Sequence, residues 1–147
     1  KYMNSIILKT EQYFPNKFEK GIDCSAQANI SDAIAQSAVL LAYNTKAKAI
    51  LTITRSAFTA RNISKLRPKM PIIAITDDKA KQHYLITLWG VNPIVIDNFD
   101  FNEIDFNLIH NNLKNQNIIK TGDRVVVVAG LNDNNITENN FIKVIQF

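Results

Sequence analysis

The chain has one cysteine, one tryptophan and four glycines among its 147 residues, and each scarcity closes off a class of explanation. With Cys24 alone, no internal disulfide can form, which fits the reducing cytoplasm expected for this chain. No histidine stands near Cys24 in sequence, so a nucleophilic thiol is not expected either. Four glycines are few for a phosphate cradle built from a flexible loop, and the sequence contains no Walker loop, no GxGxxG and no GxSxG. No apolar run reaches the roughly 20 residues of a spanning helix, and nothing resembles a signal peptide. The net charge is +4, but the lysines are scattered. Nucleic-acid binding asks for a concentrated basic stripe, often with aromatic platforms. Neither a nucleic acid nor a membrane is therefore expected as a partner. Mild basicity still suits a phosphorylated metabolite.

What remains is an ordinary globular composition, 46% hydrophobic and 20% charged, long enough for one domain over residues 1–147. Met3, Ile7, Thr10 and Phe14 share a face at helical spacing, which predicts a helix over 2–14 ended by Pro15. Residues 15–28 read as a connector. Ser31 and Asp32 open a second helix with Ile34, Ala38 and Leu41 on one face. Strands and helices then alternate: strand 48–54, helix 58–67 stopped by Pro68, strand 71–76, helix 78–89 ended by Gly90, strand 91–96, helix 104–117, strand 124–129 and strand 141–147. Strands that are apolar without alternation are buried on both faces. Their alternation with helices predicts crossover connections and a mostly parallel sheet. About ten residues join the last two strands, too few for a crossover, so that pair is expected to be antiparallel. The fold class is a three-layer α/β/α sandwich.

Ligands of open α/β sheets sit beyond the carboxyl ends of the strands. After the first strand comes Thr54-Arg55-Ser56-Ala57-Phe58-Thr59, with a helix beginning at once. Thr54, Ser56 and Thr59 can donate hydrogen bonds to a phosphate and Arg55 can add a charge-assisted one, at a helix end whose N–H groups and dipole attract anions. The alternative is that these hydroxyls simply cap the helix. Asp77-Asp78 can hold magnesium or cap a helix, with capping the plainer reading. His83 and His110 have no ligand at metal spacing and read as surface or satisfied histidines. Trp89 reads as a core anchor rather than a stacking platform. No metal site is expected.

The segments 29–54, 58–76, 88–96, 120–130 and 140–147, above all the run Thr59-Ala60-Arg61-Asn62-Ile63-Ser64 through Arg67-Pro68 to Pro71-Ile72-Ile73-Ala74, resemble the C-terminal domain of the pyruvate kinase family. That resemblance implies a five-stranded sheet in the order 3-2-1-4-5, with strand 5 antiparallel. It implies a parent enzyme of glycolysis, a homotetramer that transfers phosphate from phosphoenolpyruvate to ADP to give ATP, with magnesium and potassium. Those groups belong to a catalytic barrel absent from this sequence. Residues 1–14 would lead out of that barrel, and the start at Lys1 reads as a cut from a longer protein. No catalytic residue and no cofactor is expected in this fragment, which should be inactive alone.

The resemblance also implies two roles for this domain: subunit contact, and binding of a phosphorylated allosteric effector. The family's phosphate loop reads T-x-S-G-x-T/S-A, so Thr54, Arg55, Ser56, Ala57, Phe58 and Thr59 are the expected contacts. Ala57 stands at the family's glycine, which matters if that position needs a positive φ. Gly130, Leu131 and Asn132 begin the expected effector loop. That loop lacks the family's glycines and carries Asp133 and Glu138, which would repel a second phosphate, so an effector with one phosphate is expected. Ile142, Val144 and Ile145 on the last strand are the expected subunit contacts, with Ile142 and Val144 facing one way and Phe141, Ile145 and Phe147 the other. Two competing readings are an assembly-only domain that has lost effector binding and a free-standing phosphometabolite-binding module.

Overall fold

A computed structural model describes residues 2–11, 29–101, 103–130 and 141–147. Its elements run α1 (Tyr2–Glu11), α2 (Ile30–Asn44), β1 (Ala49–Ile53), α3 (Phe58–Lys65), β2 (Ile72–Thr76), α4 (Lys79–Ile86), β3 (Val91–Val95), α5 (Phe106–Asn115), β4 (Arg124–Ala129) and β5 (Phe141–Gln146). The five strands form one sheet in the order β3-β2-β1-β4-β5. The pairs β1–β2, β1–β4 and β2–β3 are parallel, and β4–β5 is antiparallel. Sheet order, direction and layer class agree with the expectation. Residues 12–14, Pro15, the connector 15–28 and Cys24 lie outside the described residues.

Burial follows position in the sheet. β1 and β2 are buried along their whole length, and β4 from Val125 onward. The outer strands β3 and β5 are only partly buried. Pro93, which has no N–H to give a second neighbour, sits on edge strand β3 opposite Ala74. Alternation along each strand divides the core in two. Ile50, Ile72, Ala74, Val126 and Val128 face α2, α3 and Leu85 of α4. Leu51, Ile53, Ile73, Ile75, Val125 and Val127 face α5 and the segment carrying Phe99 and Phe101. β5 joins both clusters, with Ile142 against the first and Phe141, Ile145 and Phe147 against the second.

Several boundaries differ from the sequence expectation for local reasons. α2 is capped by Asn29, whose side chain accepts from the Asp32 N–H at 2.8 Å. Ser31 therefore lies inside the first turn. The buried face of α2 is Ser31, Ala35, Ala38, Val39 and Ala42, with Ile34 and Leu41 packing from its flanks. α3 ends at Lys65 because the Leu66 and Arg67 N–H groups turn back to Ile63 and Ser64, and Pro68 has no N–H to continue. α4 stops at Ile86, where Thr87 and Leu88 tighten into bonds three residues back. α5 starts only at Phe106, since Asp105 accepts from the N–H groups of Asn107 and Leu108.

The shortage of glycine leaves a mark on the backbone. Lys46, Ala57, Arg67, Asn98 and Asn117 all adopt positive φ, as do Gly90 and Gly122. Lys46 closes α2 in a Schellman motif, with Ala47 N–H bonding to Ala42 and Lys46 N–H to Tyr43. Glycine is the usual occupant of that left-handed position.

Candidate functional site

Just past the end of β1 the Thr54 N–H still bonds to the Ile75 carbonyl at 3.1 Å, which ties this buried residue to the sheet. The chain then leaves the sheet and reverses at Ala57, whose φ is 62° and ψ 2°. A left-handed alanine is disfavoured by about 1–2 kcal/mol. The concern over an alanine at the family's glycine therefore applies, because the position does take a positive φ.

Ala57 is also the N-cap of α3, and it offers no side-chain cap. The N-cap position itself is thus held by a residue with no hydroxyl to offer the helix start. α2, α4 and α5 are each capped by a side chain, from Asn29, Asp78 and Asp105. The unpaired N–H groups of a helix start, with the positive end of the dipole, favour an anion.

The six loop residues do not converge on one point. Ser56, Ala57 and Phe58 line a cleft of about 510 Å³. Asn29 and Ser31 at the start of α2, Arg61 on α3 and Tyr84 on α4 complete its lining. Thr54 and Thr59 are buried and are not part of this lining. Arg55 turns elsewhere, its guanidinium carbon 4.8 Å from the centroid of Phe101 in the cluster beneath α5.

The sequence reading missed four residues of the cleft: Asn29, Ser31, Arg61 and Tyr84. Arg61 carried a usable signal, since it lies three positions after Phe58 and shares its helix face. Its guanidinium carbon is 5.4 Å from the Phe58 ring centroid. Tyr84 carried no local signal, because only the packing of α4 in the same layer as α3 brings it near. Next to Arg61, Asn62 is buried and its Nδ2 has no hydrogen-bond partner among the described residues.

Other expected residues fall as follows. Gly130 follows β4 and is half-buried, while Leu131 and Asn132 lie outside the described residues. Ile142 and Ile145 are half-buried in opposite clusters, whereas Val144 is 37% exposed. His83 is exposed. His110 is not a satisfied histidine: its ring stacks on Phe147 with centroids 4.7 Å apart, and its buried Nε2 has no partner among the described residues. Trp89 is half-buried and belongs to neither core cluster. Its carbonyl accepts from Ser64 Oγ at 2.7 Å, and Leu88 does the packing instead.

Asp78 caps α4, accepting from the Ala80 N–H at 2.7 Å, with Lys81 Nζ at 3.3 Å. The Ala80 hydrogen bond, aided by Lys81, holds its carboxyl below the ordinary value of 3.8. A depressed folded pKa means that the carboxylate stabilises α4 fully above the ordinary value. That stabilisation is lost as pH falls through the folded pKa. Thermal melts across the acid range should therefore show less acid-induced loss for Asp78→Asn, which keeps a good N-cap but cannot titrate. An unchanged acid profile would assign that loss to other carboxylates.

Comparison with known proteins follows the same outline. Residues 32–145 match the family described as pyruvate kinase, alpha/beta domain. The chain is 35% identical over 116 residues to the pyruvate kinase of Clostridium acetobutylicum, covering 79% of this chain and 24% of that protein. It is 32% identical over 145 residues to that of Geobacillus stearothermophilus, covering 98% and 25%. To the pyruvate kinase of Dictyostelium discoideum it is 31% identical over 120 residues, covering 80% and 23%. The chain thus spans about a quarter of the length of these relatives.

Proposed function

Since the chain belongs to the pyruvate kinase alpha/beta-domain family, we propose that it serves as a regulatory and subunit-contact domain that binds a phosphorylated small molecule at the loop 54–59. The observation that carries this reading is the α3 start: a helix N-terminus without a side-chain cap, opening on a cleft of about 510 Å³ that Ser56, Ala57 and Phe58 line. Backbone N–H groups and the Ser56 hydroxyl would meet the phosphate oxygens there. Thr54 and Thr59, both buried, would brace the loop.

The parent protein in this reading transfers phosphate from phosphoenolpyruvate to ADP in the cytoplasm, with magnesium and potassium held by its barrel. α1 would be the helix that leads out of that barrel. Its exposed apolar side chains, Tyr2, Met3, Ile6, Ile7 and Leu8, support a partner beyond this chain. A role in assembly draws support from β5, which among the described residues pairs only with β4 and exposes Val144.

Calorimetric titration of the chain with ribose 5-phosphate, glucose 6-phosphate, AMP and fructose 1,6-bisphosphate tests the regulatory half. Saturable micromolar binding that Ser56→Ala weakens is the expected outcome. No heat with any of the four would leave assembly as the role of the domain.

A further inference from the structure

Two arginines flank the β1–α3 loop, and they lie on opposite sides of it. Arg55 precedes the turn. Its guanidinium sits over Phe101, a buried ring in the cluster shared with α5. Arg61 follows the turn, one helical turn into α3, and lines the cleft with Asn29, Ser31 and Tyr84. From position in the sequence, Arg55 is the obvious anion ligand, since it stands among the loop hydroxyls. The geometry reverses that choice.

Three features of the cleft bear on its ligand. Among the described residues its lining contains one cation, Arg61, and no carboxylate. Arg61 is already placed by the Phe58 ring, with 5.4 Å between its guanidinium carbon and the ring centroid. A contact with an aromatic ring restrains a guanidinium without supplying an oxygen acceptor, so its N–H donors stay available to an oxyanion. The remaining lining supplies hydroxyls from Ser31, Ser56 and Tyr84 and the Asn29 amide, groups suited to the hydroxyl-bearing body of a small ester.

We propose that Arg61, not Arg55, is the residue that pairs with the anionic group of the ligand, and that the cleft selects an ester carrying a single phosphate. The inference rests on the effector-site reading above and names the charge partner and ligand class of that same site. With one cation among the described lining residues, a second phosphate finds no charge partner among them. It adds desolvation without compensation.

The test is calorimetric titration of the chain with ribose 5-phosphate and with fructose 1,6-bisphosphate, for the unaltered protein and for Arg61→Gln, Arg61→Lys and Arg55→Gln. Arg61→Gln should weaken ribose 5-phosphate binding by about tenfold or more, the usual effect of deleting a charge-assisted contact. Arg61→Lys should recover part of the loss, because it keeps the charge without the fork. Arg55→Gln should change affinity by less than about threefold, and the bisphosphate should bind no more tightly than the monophosphate, if charge pairing at Arg61 governs the site. Thermal melts of each variant separate a folding defect from a binding defect, and Arg61→Lys carries the comparison if Arg61→Gln does not fold. Equal losses at both arginines, or a loss confined to Arg55→Gln, overturns the assignment while leaving the site in place. Tighter binding of the bisphosphate by tenfold or more overturns the single-phosphate selection. Absence of binding by the unaltered chain overturns both this inference and the effector reading.

Discussion

Replacing Ile73 by alanine is expected to destabilise the domain by about 2–5 kcal/mol, the range for buried isoleucine truncations. Ile73 is fully buried on β2, opposite Leu51, and points into the cluster beneath α5. The same cluster holds Ile75, Ile109 and Val127, all essentially without solvent contact. A parallel sheet covered on both faces gives the void little room to collapse, because β2 is held on each side by a parallel strand. Small domains are stable by only about 5–15 kcal/mol, so the loss is a large share of the total. In urea denaturation the midpoint should fall with the slope unchanged. Val144→Ala, on the exposed edge strand, should shift the same midpoint little when the chain is monomeric, within about 0.5 kcal/mol. A comparable loss at both positions would contradict the placement of Ile73 in the core.

A second large effect is expected at Ala57. Valine there should cost about 1–3 kcal/mol, since a β-branched residue is strongly disfavoured at a φ of 62°. The consequence should extend to binding, because Ala57 both starts α3 and lines the cleft. Ala57→Val should therefore lower the melting temperature and weaken phosphate-ester binding together. Ala57→Gly should raise stability by up to about 1 kcal/mol, as relief of the left-handed strain is partly offset by greater freedom in the unfolded chain. Thermal denaturation and calorimetry on the two variants decide the matter. A valine variant with unaltered stability would mean that the turn can relax to negative φ.

The parts of the fold that were legible in sequence are those where one physical signal dominates. Ile72 to Thr76 and Val125 to Ala129 are unbroken apolar runs, and burial on both faces leaves them no reading other than central strands. The short β4–β5 connection dictated antiparallel pairing. Helix ends were less legible, because several residues competed for each cap. Asn29 and Ser31 are both good N-caps, and only the settled backbone selects Asn29. At the cleft, the strand end and the turn at Ala57 could be read from the order of residues. The departure of Arg55 toward Phe101 could not, since that contact joins segments far apart in the chain. Tyr84 likewise reaches the cleft only through helix packing.

The central place of β1 has a consequence for how the protein is made. Ala49 pairs with Val125 and Ile53 with Ala129 on one side, while the other side is filled by β2 within a few dozen residues. A ribosome adding about 5–20 residues per second needs on the order of several seconds to pass from β1 to β4. Once β2 and β3 have followed, and until β4 arrives, the nascent β3-β2-β1 sheet ends in an open edge whose residues, Ala49 through Ile53, are destined for full burial. Such an edge is a template for pairing with another chain. Translation that stalls before Arg124 would thus release a species prone to join its own copies, and prompt delivery of β4 is what seals it.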